Sequence, residues 1–273
     1  MTTTQNNIEL SGSQFLYGQP EALHSQVHGG LKFVAQDAPF AKAEGVHIVP
    51  LLVGEFPQAM MHYPIVFGGP DKTPMAIMGL SDGQNLFVKD GRFEDGAYVP
   101  AYLRRYPFTL AGAGEEQFVV CIDREAPGFS DGDEGQALFD GDEPTEFTKN
   151  AIQFLNEFEA ERKRSQAFVE TLVEAGLFEV KHTLSIAAGT GEQELVADYY
   201  GVSEEVLHTL ADDKLAGMVK SGAIAMIDAH LLSLQRWNDL LARRAAATPV
   251  DADAEAPKKW DMAEADEPAL ADA

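Results

Sequence analysis

Val46-His-Ile-Val-Pro-Leu-Leu-Val53, Tyr63-Pro-Ile-Val-Phe67 and Met75-Ala-Ile-Met-Gly-Leu80 are three short apolar runs punctuated by proline and glycine. Their length is that of strands, and β-branched Val and Ile pack well on a pleated surface. Prolines 50, 57, 64, 70, 74, 100 and 107 keep such strands short, because each removes a backbone donor. Asn85-Leu-Phe-Val88 reads as a further strand, and Asp90-Gly91 as its two-residue hairpin turn, since glycine accepts positive φ without steric cost. Phe118 to Asp123 closes the region. Short strands with tight turns predict a mainly antiparallel sheet over residues 46–123.

Working outward, the second half has helical periodicity. Thr148 is placed to cap a helix running to about Leu177, with Ala151, Phe154, Leu155, Phe158, Phe168, Leu172 and Val173 along one stripe. The charged stretch from Glu159 to Arg164 is expected to face water, and Gly176 to stop the helix. Residues 178–200 fit neither period cleanly, apart from a turn at Gly189-Thr-Gly191. Ser203 and Asp212 begin two shorter helices, Gly222 ends or kinks the second, and one longer helix is expected from Ala223 to about Arg244. The fold class is therefore α+β: a mainly antiparallel β N-terminal half packed with a helical C-terminal half. The expected organisation is a polar lead-in over 1–20 and a single α+β unit over 21–246. That unit has an acidic Gly- and Asp-rich loop at 126–143 and helices over 147–245. A disordered acidic tail is expected over 247–273.

The formal charge of the 273 residues is −24. Eleven acidic residues against Arg124 alone occupy the stretch from Glu115 to Glu146. Eight more lie between Asp251 and Ala273, against Lys258 and Lys259. Such a surface repels phosphate backbones and anionic headgroups, which argues against a nucleic-acid partner and against a membrane surface. The most apolar helical stretch, Ala223 to Leu234, carries Asp228 and His230 and is too short to span a bilayer. The N-terminal residues lack a basic region followed by an apolar run, so a cytoplasmic location is expected. Cys121 is the only cysteine, in an apolar run that predicts a buried structural thiol.

Catalytic motifs fail one by one. Gly79-Leu-Ser-Asp-Gly83 fits G-x-S-x-G, but a nucleophile elbow joins a strand to a helix, and here a second strand is expected to follow. No H-E-x-x-H, no cysteine pair and no H-x-D/E occurs, so no metal is expected. Asp131-Gly-Asp-Glu-Gly135 and Asp140-Gly-Asp-Glu143 lack the full spacing of a calcium loop. Gly189-Thr-Gly191 lacks the third glycine of a dinucleotide fingerprint, so no nucleotide cofactor is expected either. The distinctive stretch is Gly96-Ala-Tyr-Val-Pro-Ala-Tyr-Leu-Arg-Arg-Tyr-Pro-Phe108. Arg104 and Arg105, between Tyr102 and Tyr106, are suited to clamp a carboxylate or phosphate, or else to pair with internal acids and stack on those rings. Glu55, between apolar runs, is a candidate buried carboxylate, and His230 a histidine among apolar positions. With Asn85 these complete the candidate ligand- or partner-binding set.

These blocks come in an order that resembles the SapC family: Val49-Pro-Leu-Leu-Val-Gly-Glu-Phe56, Tyr63-Pro-Ile-Val-Phe67, Gly83-Gln-Asn-Leu-Phe87, Tyr98-Val-Pro-Ala-Tyr-Leu-Arg-Arg-Tyr-Pro-Phe108 and Ala229-His-Leu-Leu-Ser-Leu234. The likeness covers residues 20–245. It implies a bacterial protein of the kind named for surface-layer (S-layer) gene clusters, and it carries over no catalytic residue. It thus favours a non-enzymatic accessory protein with a protein or peptide partner. An enzyme acting on a peptide or amino acid around Arg104 and Arg105, and a homo-oligomeric subunit, are the alternatives.

Overall fold

The computed structural model describes residues 16–112, 118–186, 193–247 and 260–261. The Gly189-Thr-Gly191 turn, most of the polar lead-in and most of the acidic tail lie outside them. The fold is mixed α+β, with antiparallel sheets through the N-terminal two-thirds and helices concentrated at the C-terminus. The chain forms two compact units. One is built from the described parts of Met1–Asp37 and Arg105–Phe158, the other from those of Ala38–Arg104 and Glu159–Glu267.

In the first unit, Phe118–Asp123 pairs antiparallel with Pro20–Ala22 on one side and Phe108–Gly112 on the other. Its core is Leu31, Phe108, Ile122, Leu138 and Leu155, ringed by Phe33, Phe129 and Phe147. The segment read as an acidic loop, 126–143, carries the short strands Phe129–Ser130, Gln136–Ala137 and Phe139–Asp140, and Leu138 within it is fully buried. Asp and Gly set the composition there, but the few apolar residues are the ones that anchor the segment. Buried Asp123 accepts from the backbone N–H groups of Gly18 (3.2 Å) and Gln19 (2.9 Å) and from the Tyr106 hydroxyl (3.0 Å). These bonds pin the described end of the lead-in.

The second unit is organised by a sheet in the order Phe178–Ile186, Gln193–Val202, Ile65–Gly68, Thr73–Ile77, Ile48–Pro50, all antiparallel. Residues 178–200, which have no clear period, supply its longest hairpin. Val180 and Leu184 remain half-exposed on that hairpin, so the apolar alternation that marks a half-buried strand is blurred. The run from Val46 to Val53 yields only three residues of strand. Leu52 instead donates its N–H to the Glu55 carboxylate (2.8 Å), which closes a 3₁₀ turn, Val53–Glu55, leading into the helix Phe56–Ala59. The Asp90-Gly91 hairpin forms as expected, with φ of +52° and +70° between Val88–Lys89 and Arg92–Phe93.

The long helix Glu146–Glu174 starts differently from the expectation. Thr145 accepts from the Thr148 N–H (3.4 Å), and Thr148 lies inside the helix with its hydroxyl donating to Leu138 C=O (2.7 Å). Gly176, at φ +66°, does end it. Val173 faces solvent, whereas Glu159 is buried and held by both arms of Arg162 at 2.8 Å. The single helix expected from Ala223 is two, Ala223–Ser233 and Arg236–Ala247. The Ser233 hydroxyl donates to His230 C=O (2.6 Å), the acceptor an α-helix reserves for the Leu234 N–H. Leu234 therefore turns back to Leu231 C=O, and the helix breaks.

Candidate functional site

A cavity of about 650 Å³ opens on the second unit, lined by Pro57, Gln58, Met61, His62, Tyr98 and Arg104 among others. Its wall is built from the sequence upward. Pro100 starts a single helical turn, Ala101–Arg104, whose first N–H groups have no intrahelical acceptor. Glu55 supplies one. Its Oε1 accepts from the Ala101 N–H (2.7 Å) and the Tyr98 hydroxyl (2.7 Å), while Oε2 accepts from the Leu52 N–H (2.8 Å). Arg104 sits 4.0 Å from the same Oε1, with Nη2 3.5 Å from the Tyr98 hydroxyl and Nε donating to Val99 C=O (3.0 Å). One buried carboxylate thus fixes a 3₁₀ turn, a helix start, a tyrosine and an arginine.

Burial raises the Glu55 carboxyl above its ordinary range, against the pull of these donors and of Arg104. Burial, with Glu55 alongside, likewise pushes the Tyr98 phenol up. Burial lowers the His62 imidazole; Glu94 opposes this, and Arg236 and Arg243 reinforce it. Arg243 in turn grips Glu94 through two bonds (2.6 and 2.7 Å) and lies over the Phe87 ring at 4.2 Å. The Tyr63 hydroxyl donates to Tyr98 C=O (2.5 Å), which holds the backbone of the same wall from behind.

Of the residues singled out in the sequence, Glu55 and Arg104 meet here. Tyr102 is buried in the same unit rather than facing the cavity. Asn85 is buried and ties a loop, donating to Ala43 C=O (3.0 Å) and accepting from the Phe87 N–H (2.9 Å). Arg105 and Tyr106 belong to the first unit, where the Arg105 guanidinium lies over Phe158 (4.6 Å) and Tyr17 (5.7 Å). The ring beneath Arg104 is Tyr98, at 6.0 Å. His62, Met61 and Tyr98 are not among the candidates that the sequence suggests. Tyr98 had a legible signal: a carboxylate between apolar runs needs donors, and Tyr98-Val-Pro-Ala101 holds a hydroxyl and an unused helix-start N–H.

His230 is fully buried elsewhere in the unit, and its two nitrogens serve the sheet. Nδ1 bonds Ile65 C=O (2.8 Å) and Nε2 accepts from the Val202 N–H (3.1 Å), which assigns the proton to Nδ1. The register that pairs Tyr200 with Phe67 brings Val202 opposite Ile65. The imidazole is therefore inserted where a direct ladder bond would run, and Ser233 accepts the Ile65 N–H beside it (2.8 Å). Burial lowers this imidazole to about 4.

Other motifs also resolve into packing. No helix follows Gly79–Gly83, and a Cβ on Gly79 would sit 1.8 Å from Gln84 C=O, so this glycine serves a close backbone approach. Buried Cys121 has its thiol pushed up to about 11 by burial. Among the described residues, no three His, Cys, Asp or Glu side chains are grouped to hold a metal, and no single helix is long and apolar enough to cross a membrane.

No curated protein and no solved structure matches the chain. The SapC family model matches residues 23–240, a span that contains the Glu55 turn, the Tyr98–Arg104 wall and the His230 insertion, and by that match the chain belongs to the SapC family.

Proposed function

We propose that this SapC-family chain is a non-enzymatic accessory protein that holds a segment of a protein or peptide partner in the cavity beside Tyr98 and Arg104. The observation that carries the reading is the use of Glu55. Both its oxygens accept from internal donors, so the carboxylate acts as a scaffold that presents a phenol ring and a guanidinium at an open cavity. Half-exposed Arg104 brings a fixed positive charge to the cavity, which attracts a carboxylate or carbonyl, and Met61, 58% exposed, offers a flexible apolar contact at the same cavity. A partner bound for the cell surface agrees with the family's link to surface-layer genes.

The test is a photo-reactive residue in place of Met61, activated in cells. A discrete protein adduct that disappears on Arg104→Glu is expected. No adduct above a Val219 control, or one indifferent to Arg104→Glu, overturns the reading.

A second reading, a pocket for a small ligand or a modified amino acid, is favoured by the cavity's size and by the raised Glu55 carboxyl. A small molecule retained in native mass spectrometry and lost on Tyr98→Phe would select it.

A further inference from the structure

The strand Gln193–Val202 uses its two edges unequally. Along one it pairs with Phe178–Ile186 from end to end. Along the other, Val202 is bridged to Ile65 through His230, and Tyr200 pairs with Phe67. The strand Ile65–Gly68 then ends opposite Tyr199, while 193–198 runs on past it. Val196 and Ala197 are buried there, so the backbone groups of this overhanging edge need partners.

At Ala197 and Asp198 the partners are Trp260 and Asp261, aligned parallel. Ala197 and Asp198 already face Thr183 and His182 on the hairpin side, so Trp260–Asp261 occupies the overhanging edge. We propose that this edge is a strand-accepting slot for extended polypeptide, and that Trp260–Asp261 of the chain's own acidic tail is its resident occupant.

The register aligns two acids, Asp198 and Asp261, so the charge attraction for this occupant rests on the lysines beside them, and its reach on the length of chain before them. Twelve residues separate Ala247, the end of the last helix, from Trp260. Extended, they span on the order of 40 Å. The accepting strand carries Glu194 and Asp198 and no basic residue, whereas the tail's only lysines, Lys258 and Lys259, immediately precede the docked pair. Strand addition draws its affinity from backbone bonds, and two paired residues supply few of them, so the occupant exchanges readily. The slot is independent of the Tyr98–Arg104 cavity, and either assignment stands without the other.

Hydrogen-exchange mass spectrometry of the full chain against a full-length Trp260→Pro/Asp261→Pro variant tests it. Proline has no N–H to give and does not continue a ladder. Peptides covering 195–199 are expected to exchange at least about tenfold faster in the variant, the loss of roughly one backbone bond's protection. Residues 200–202, held by Phe67 and His230, are expected to stay unchanged and to report an intact sheet. Equal exchange at 195–199 in both proteins overturns the proposal. Protection that persists in the variant and rises with protein concentration overturns it too, because it assigns the edge to a second copy of the chain.

Discussion

Glu55 and His230 are both buried, both titratable, and both bonded to backbone groups on two separate elements, yet only one is linked to an open cavity. His230 closes a gap in a sheet and leads nowhere: its nitrogens end on Ile65 and Val202, and its ring rests on Phe67. Glu55 bonds the backbone equally well, but its third donor is the hydroxyl of Tyr98, and Tyr98 lines a cavity with Arg104. Burial of an ionisable group therefore does not mark a site by itself. What marks it is an unbroken chain of bonds from the buried group to an exposed one.

Breaking the His230 side of the comparison is expected to give the largest effect. His230→Ala leaves the Ile65 C=O and the Val202 N–H without their bridge and opens a void beside Phe67. A loss of roughly 3–5 kcal/mol in urea denaturation at pH 7 is expected. The pH dependence has a definite sign. The folded imidazole is lowered to about 4 from 6.5, so between those values the unfolded chain binds more protons, and stability falls as pH falls. His47, also lowered to about 4 by burial, adds the same sign. Urea denaturation of wild type at pH 7 and pH 5 should show this slope, and His230→Gln should flatten it. An unchanged slope in the variant would mean that the bridge does not set the acid limit.

Glu55 is expected to act in the opposite direction. Its folded carboxyl is raised by burial, so the folded chain binds the proton more tightly. Its contribution is present below the ordinary carboxyl value and is lost as pH rises through the folded value. Glu55→Gln removes that falling limb. The amide also turns an NH₂ toward a donor, Leu52 on one side or Ala101 and Tyr98 on the other, whichever way it is rotated. A net loss of about 1–3 kcal/mol is expected at pH 6, smaller than for His230→Ala. Differential scanning calorimetry across pH would separate the two slopes, and a variant whose stability still falls with rising pH would remove Glu55 as the cause.

Part of this contrast is legible in the amino-acid sequence itself. The runs Tyr63–Phe67 and Met75–Leu80, the Asp90-Gly91 turn and the Gly176 stop are local signals, and each is realised at its place in the chain, the runs as the strands Ile65–Gly68 and Thr73–Ile77. The hairpin over 178–202 is not legible, because its strands show one half-wet face and its pairing partner lies in the chain's first third. Nor is the break after Ser233, which depends on a strand more than a hundred residues earlier offering its N–H. Within the site, Glu55 and Arg104 stand out as charges in apolar or aromatic company. Their meeting across a turn of helix depends on Pro100 and on the unused N–H of Ala101. Neighbouring Arg104 and Arg105 look equivalent as letters, and nothing local says that one would line a cavity while the other covers Phe158.

That pair of arginines gives the smallest expected effect on stability and the sharpest one on function. Arg104 is half-exposed, 4.0 Å from Glu55, in the range where an ion pair contributes about 0–1 kcal/mol. Arg104→Ala should therefore leave the urea midpoint nearly unchanged. Tyr98→Phe, which removes a hydroxyl bonded to a buried carboxylate, is expected to cost about 1–2 kcal/mol. Adduct formation at the Met61 position should nevertheless fall further in Arg104→Ala than in Tyr98→Phe, since phenylalanine keeps the ring that lines the cavity. Arg105→Ala serves as the counterpart: it removes the cover over Phe158 and is expected to lower stability without touching the adduct. If Arg105→Ala instead abolishes the adduct at unchanged stability, the partner reads the first unit, and the Tyr98–Arg104 wall is scaffold only.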